Sequence, residues 1–80
     1  MNLAVALHEL QKARRYVKEG RTSMQRQREM VARLERRGRD TLEAILFLES
    51  LEEMQDHYMA HRDRLEAQVL KLVRPSDEDA

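Results

Sequence analysis

The chain has 80 residues, of which 38% are charged and only 4% are aromatic, with two glycines, one proline and no cysteine. That length limits the chain to one domain, and the shortage of strand-forming and turn residues favours an all-α fold. The lack of cysteine excludes disulfides, thiolate metal sites and cysteine nucleophiles, and it fits a reducing compartment. The composition therefore predicts a small cytoplasmic all-α protein.

The start of the chain carries an apolar run over residues 1–7 that ends at His8 and Glu9. This run is too short for a membrane span, and it lacks the basic leader of a signal peptide. Amphipathic helices with basic flanks can also lie in a membrane surface, but zero net charge and internally partnered apolar stripes argue against that alternative. We therefore expect no membrane association.

Positive and negative charges are separated along the chain, although the formal net charge is zero. Residues 1–40, the first arm, hold eleven Lys or Arg and five Asp or Glu, which gives +6. Residues 41–80, the second arm, hold four and ten, which gives −6. Opposite charges attract when the chain folds back on itself, whereas parallel pairing places like charges together. The charge pattern therefore favours an antiparallel arrangement of the arms.

Apolar residues in the first arm recur at the alternating three- and four-residue spacing of a coiled-coil seam. One column is bulky and the other mostly small, so the small residues leave room for large side chains of a partner helix. Gly20 costs roughly 1 kcal/mol relative to alanine inside a helix, and either close packing at the seam or a kink explains it. The columns are Leu3, Leu10, Val17, Met24 and Val31, and Ala6, Ala13, Gly20, Gln27 and Leu34.

A short break separates the arms at residues 37–41. Gly38 can adopt the left-handed conformation that ends a helix, because it has no Cβ. Asp40 or Thr41 can cap the following helix, and Glu43 stands three positions after Asp40, as in a capping box. A stop and a start this close together reverse the chain direction.

These signals predict an all-α, coiled-coil-like, antiparallel two-helix hairpin. Pro75 disfavours helical geometry in the residue before it and ends the second helix. The predicted single domain, residues 1–74, comprises helix 1 at about 3–37, a turn at 38–40 and helix 2 at about 41–74, followed by a disordered acidic tail at 75–80.

The second arm repeats one column every seven residues, and each member is followed by two candidates for the other column. Reflection about the turn gives a register in which paired residue numbers sum to about 78, so that bulky residues oppose small ones. The column is Ala44, Leu51, Tyr58, Leu65 and Leu72, and the candidates are Phe47 or Leu48, Met54 or Gln55, His61 or Arg62, and Gln68 or Val69. The predicted layers are Gly20–Tyr58, Ala13–Leu65, Ala6–Leu72 and Gln27–Leu51, with Val31–Phe47, Met24–Met54 and Val17–His61 between them.

Apolar residues near the turn exceed what one partner helix can cover, which predicts a second subunit. We therefore expect a homodimer that forms a four-helix bundle or an elongated coiled coil. The expected function is a small self-associating interaction, scaffold or regulatory module, with an unidentified protein partner as a further possibility. The residues predicted to carry self-association are Leu7, Met30, Leu42, Ile45 and Leu46.

A metal-binding bundle is one alternative, because Glu53, His57 and His61 lie four residues apart on one helix face, at metal-ligand spacing. The metalloprotease helix motif is absent, since Tyr58 and not Glu follows His57. The competing interpretation places His61 in the seam and His57 in solvent. We therefore expect no metal and no cofactor.

Nucleic-acid binding through the basic first helix is a second alternative. The basic residues are spread around the helix among glutamates and lack interleaved aromatics, so a solvated face that pairs with acids is the competing interpretation. Catalysis is not expected, because there is no Gly-rich phosphate loop and no nucleophile–base pattern. The hydroxyl residues without such a pattern are Thr22, Ser23, Thr41 and Ser50.

Several short motifs at fixed places resemble a family of small bacterial helical-hairpin proteins, over roughly residues 8–65. That resemblance implies the hairpin fold and assigns no activity, cofactor, partner or functional residue. The motifs are Val17-Lys18-Glu19-Gly20, Gln25-Arg26-Gln27-Arg28, Leu34-Glu35, Gly38 with Asp40-Thr41, Ala44, Leu48-Glu49 and His61-Arg62-Asp63-Arg64-Leu65.

Overall fold

A computed structural model describes residues 1–74 as two antiparallel α-helices joined by a short turn. Helix α1 spans Leu3–Arg36 and helix α2 spans Leu42–Val73. The all-α hairpin predicted from the sequence is therefore confirmed, and the predicted helix bounds differ from these by at most one residue. The predicted tail at 75–80 lies outside the described residues.

The end of α1 is set by Gly38, which has a φ of +65°. Its N–H donates to the carbonyl of Glu35 at 3.0 Å, and the N–H of Arg39 donates to the carbonyl of Leu34 at 2.9 Å. This pair of bonds is the Schellman motif, which requires a left-handed residue and satisfies carbonyls that the helix leaves unpaired. Gly38 therefore ends the helix by the mechanism predicted.

The start of α2 depends on Asp40, one of the two predicted caps. Its Oδ1 accepts a hydrogen bond from the N–H of Leu42 at 3.0 Å, whereas the Thr41 side chain makes no capping bond. The Thr41 carbonyl accepts the first bond of the helix, from Ile45 N–H at 2.9 Å. A carboxylate near the exposed N–H groups also interacts favourably with the positive end of the helix dipole.

The seam between the helices holds a small core. Leu10, Ala13 and Leu65 form one buried cluster, and Val69 packs against it. The predicted layer of Ala13 with Leu65 is therefore confirmed, and so is the register sum of about 78. The buried apolar residues are Ala6, Leu10, Ala13, Val17 and Leu65.

The second seam column of α2 corrects the sequence prediction. Phe47 and Met54 are 55% and 48% exposed and His61 is exposed, so the predicted layers that used them are wrong. The residue after each of them is less exposed and lies at the seam. Those residues are Leu48, Gln55 and Arg62. Leu72, predicted to lie opposite Ala6, is 38% exposed.

Glutamine side chains cross the seam in both directions. Gln55 Nε2 donates to the Val17 carbonyl at 2.8 Å, and Gln27 Nε2 donates to the Ala44 carbonyl at 2.9 Å. Gln55 is buried at 4% exposure, and its Oε1 has no hydrogen-bond partner. Because a buried amide without its bonds is costly, these two contacts oppose sliding of one helix along the other.

Gly20 provides the space that Gln55 occupies. A Cβ built on Gly20 would overlap the Gln55 amide and would lie 3.5 Å from Tyr58 Cδ2. Helix α1 runs unbroken through this position. Of the two explanations offered for Gly20, close packing is therefore the one that accounts for it, and the predicted proximity of Gly20 and Tyr58 is confirmed.

Replacement of Gly38 is expected to test the turn. Gly38→Ala should lower the free energy of unfolding by about 1–2 kcal/mol, because the left-handed conformation is strained in a residue with a Cβ. A Cβ at this position meets no atom within 4 Å, so the loss is conformational only. Gly38→Asn should lose less, since asparagine tolerates this conformation. Urea unfolding at matched protein concentration measures the free energy of unfolding of both variants. Equal stability of Gly38→Ala and the parent would contradict a left-handed conformation at Gly38.

Replacement of Gly20 is expected to reveal its coupling to Gln55. Gly20→Ala gains about 1 kcal/mol of helix propensity. It should nevertheless destabilise the protein by about 1–2 kcal/mol, because the amide cannot move aside without leaving the Val17 carbonyl. In a Gln55→Ala background the same change should stabilise by about 1 kcal/mol. A double-mutant cycle by urea unfolding measures the coupling. The same sign in both backgrounds would contradict it.

Candidate interaction surface

One side of the hairpin carries ion pairs between the helices, and we call it the ion-pair flank. Arg14 Nη2 lies 3.4 Å from Glu66 Oε1, and Arg28 Nη2 lies 4.0 Å from Glu52 Oε2. All four side chains are at least 41% exposed. Pairs this exposed contribute little each, but they realise the predicted contact between the basic and acidic arms.

The opposite side of the seam has a small apolar groove centred on Gly20. Its volume is about 160 Å³, and its lining residues are Tyr16, Glu19, Gly20, Ser23, Leu51, Met54 and Tyr58. Tyr16 stacks on Tyr58 with ring centroids 5.6 Å apart and an angle of 22° between the rings. The groove exists because Gly20 allows α2 to approach closely, and the two tyrosines form one of its walls.

The apolar surface around the groove continues toward the turn. Met30 lies two heptads after Tyr16 on α1, and Phe47 lies one heptad before Met54 on α2, so both are on the groove side. The exposed fractions are 45% for Tyr16, 42% for Met30, 55% for Phe47 and 48% for Met54. We define this surface, comprising Tyr16, Ser23, Met30, Phe47 and Met54, as the Tyr16 flank.

The residues predicted to carry self-association lie at separate places along the hairpin. Met30 alone belongs to the Tyr16 flank. Leu7 is 48% exposed near the open end of the hairpin, whereas Leu42 and Leu46 are 60% and 51% exposed near the turn. At ~1.5 Å per residue, Leu7 and Leu42 are roughly 40 Å apart along the hairpin. Ile45 is half-buried beside the seam.

The predicted metal candidates Glu53, His57 and His61 are all exposed on α2. Among residues 1–74, no three or more His, Cys, Asp or Glu side chains are grouped so that they could hold a metal ion. The helix periodicity places the three in sequence along one face, but the structure does not bring them together as a ligand set. The expectation that His61 packs in the seam is wrong.

The basic residues of α1 are distributed over several faces of the helix. Arg14 and Arg28 contact α2 on the ion-pair flank, whereas Arg15, Lys18 and Arg26 lie with Thr22 and Ser23 along another face. Glu19 lies within that second group. Nucleic-acid binding is therefore supported by the net positive charge of the first arm, and it stays a prediction.

No protein-family model, curated protein or solved structure matches this chain. The resemblance to small bacterial helical-hairpin proteins therefore stays a prediction. Over the part of the chain that the structure describes, neither helix combines the length and apolar character needed to cross a membrane.

The sequence contained a signal for the Tyr16 flank that the first interpretation assigned elsewhere. Phe47 and Met54 are seven residues apart, and so are Leu48 and Gln55. Either pair could form the second seam column of α2 beside Leu51. Helices of bundles carry apolar residues at the two seam columns and at one more column beside them. On a three-column interpretation, Phe47 and Met54 form the third apolar column, and the structure leaves both of them about half exposed.

Removal of the ion pairs is expected to have a small effect. A double-mutant cycle of Arg14→Ala and Glu66→Ala should give a coupling energy of about 0.2–1 kcal/mol, because both side chains are solvated. The coupling should decrease further in 0.5 M salt, where charges are screened within a few ångströms. Urea unfolding at both salt concentrations measures it, and a coupling above about 2 kcal/mol would show that solvent does not screen the pair.

Proposed function

We propose that this chain is a self-associating helical interaction module without catalytic activity, and that two hairpins pair to form a four-helix bundle. The observation that carries the proposal is the ratio of buried to exposed apolar side chains. Among residues 1–74, five apolar residues are buried, two of them alanines, and no large side chain is below 2% exposure. Thirteen large apolar residues of the same range are at least 37% exposed.

The small core supports self-association because of how helical hairpins gain stability. Long helices depend on burial of an apolar face more than on intrinsic propensity, and two helices share only one seam. Monomeric proteins rarely expose large contiguous apolar patches, which mark interaction surfaces. A second hairpin supplies the missing half of the core, as in four-helix bundles with short connections between neighbouring helices.

An interaction role also fits the chemistry of the groove at Gly20. Its polar groups are the Glu19 carboxylate and the hydroxyls of Tyr16, Ser23 and Tyr58, with no imidazole to activate a hydroxyl. The other surfaces are helix faces that carry mixed charges. Association through apolar side chains is the activity that this set of groups favours.

The mass of the full chain in solution is the test of this function. We expect about 19 kDa, twice the 9.5 kDa of one chain, by sedimentation equilibrium at micromolar concentration. The melting temperature should rise with protein concentration, because dimerisation stabilises the folded state by mass action. A folded monomer up to about 1 mM, where even a weak dimer forms, would refute the proposal.

A further inference from the structure

We infer that the Tyr16 flank is the surface on which a second copy of this chain docks, with the turns of both hairpins at the same end. This inference rests on the proposed function and specifies its interface and geometry. It differs from the five-residue set predicted from the sequence, of which it keeps only Met30.

The two sides of the seam differ in the charge that an interface would bury. Docking on the ion-pair flank would remove the charges of Arg14, Glu66, Arg28 and Glu52 from water, which is costly. Docking on the Tyr16 flank covers two aromatic rings, two methionines and a serine instead, and Glu19 is the one charged residue that lines its groove. Aromatic residues and methionine are enriched at interfaces, and charged residues are depleted at interface centres.

The hairpin buries a polar side chain of α2 at the seam and leaves apolar side chains beside it exposed. Helix α2 turns Gln55 toward α1 and leaves Met54 at 48% exposure, although methionine is the more apolar of the two. The same rotation of α2 leaves Phe47 exposed to solvent and places Leu48 at the seam. A third apolar column outside a two-helix seam is the pattern of a helix in a larger bundle.

The exposed apolar area of the Tyr16 flank is large enough for a specific interface. Four large side chains at roughly half exposure present on the order of 400 Å² per copy, since a buried aromatic residue covers 150–250 Å². Two copies then bury on the order of 800 Å² of apolar surface. At the usual apolar share of about 60%, the whole interface reaches about 1,300 Å², within the range of specific protein interfaces.

The opposite net charges of the two helices identify the occupant of the Tyr16 flank and the direction in which it docks. Helix α1 carries nine basic and four acidic residues, net +5, and α2 carries three and seven, net −4. A two-fold axis parallel to the helices, with both turns at one end, places each α1 against α2 of the other copy. A two-fold axis perpendicular to the helices places α1 against α1 and α2 against α2. Only the first arrangement pairs opposite charges, so a second copy docked in that direction is self-complementary.

The same direction also matches side chains across the interface. Residue numbers that sum to about 78 lie level along the hairpin, as Ala13 and Leu65 do. Met30 of one copy therefore lies level with Phe47 of the other, and thioether–aromatic contacts are favourable. Ser23 lies level with Met54 of the other copy, next to the groove at Gly20.

Replacement of an exposed apolar residue of α2 by glutamate, once on the Tyr16 flank and once outside it, tests the proposed surface. Met54→Glu should raise the dimer dissociation constant at least about 100-fold, because a carboxylate there loses its hydration in the interface and stands beside the Glu19 carboxylate, which lines the same groove. Leu46→Glu is the control, since Leu46 is 51% exposed on α2 outside the Tyr16 flank, and it should change the constant less than about threefold. Sedimentation equilibrium of the full-length variants measures both constants, and circular dichroism checks that helix content is retained.

The outcomes separate this inference from the proposed function. A parent dimer that persists in Met54→Glu, or that dissociates only in Leu46→Glu, overturns the Tyr16 flank and leaves self-association standing. A parent chain that is monomeric refutes both. Loss of helix in Met54→Glu would be resolved with Met54→Gln, which keeps size and removes charge and should still weaken the dimer about tenfold.

Spin labels at the turn test the direction. The chain has no cysteine, so Arg39→Cys introduces a single labelling site in each copy. Turns at the same end place the two labels within about 25 Å, because neighbouring helices of a bundle are 8–10 Å apart. Turns at opposite ends, with the interface centred on Ser23, place them about 50 Å apart at ~1.5 Å per residue. A distance near 50 Å in the dimer overturns the same-end arrangement.

Discussion

The amide of Gln55, which crosses the seam above Gly20, is the contact on which the geometry of this hairpin depends. Its Nε2 donates to the Val17 carbonyl at 2.8 Å, and its side chain fills the space where any other residue at position 20 would place a Cβ. Apolar side chains tolerate small sliding movements, but a buried amide that loses its acceptor pays its full desolvation cost. Hydrogen bonding therefore sets the register that hydrophobic packing alone leaves loosely defined.

That one contact also determines what the surface offers to other molecules. With Gln55 turned inward, the preceding residue of each heptad turns outward, so Phe47 and Met54 remain about half exposed. Gly20 lets Tyr58 approach α1, and Tyr16 stacks on Tyr58. The apolar flank and the polar contact at the seam are two consequences of the same rotation of α2 about its axis.

Opposite charges attract both between individual side chains of the hairpin and between whole helices. Within the hairpin it gives exposed pairs such as Arg14 with Glu66, which individually contribute little to stability. Summed over whole helices of opposite sign, it discriminates between ways of packing helices together more than it stabilises any one of them.

The sequence by itself determined the helices, the turn and the approximate register. Those features follow from local chemistry. Glycine takes the left-handed conformation at the turn, an aspartate lies beside the first free N–H groups of α2, and the heptad repeat is visible within the sequence of each helix. The sequence also determined the seam column through Leu51, Tyr58 and Leu65, because both candidate choices for the second column of α2 keep this first column unchanged.

Only the tertiary structure decided which residues form the second seam column of α2, those three positions or those four positions after each member of the first column. Those residues lie on opposite sides of the column at similar angles, so periodicity cannot separate them. The choice depends on which side chain reaches a carbonyl of the other helix, and hydrophobicity would have selected Met54 over Gln55. The prediction of Phe47, Met54 and His61 in the seam was wrong for that reason, and the candidate surface was missed with it.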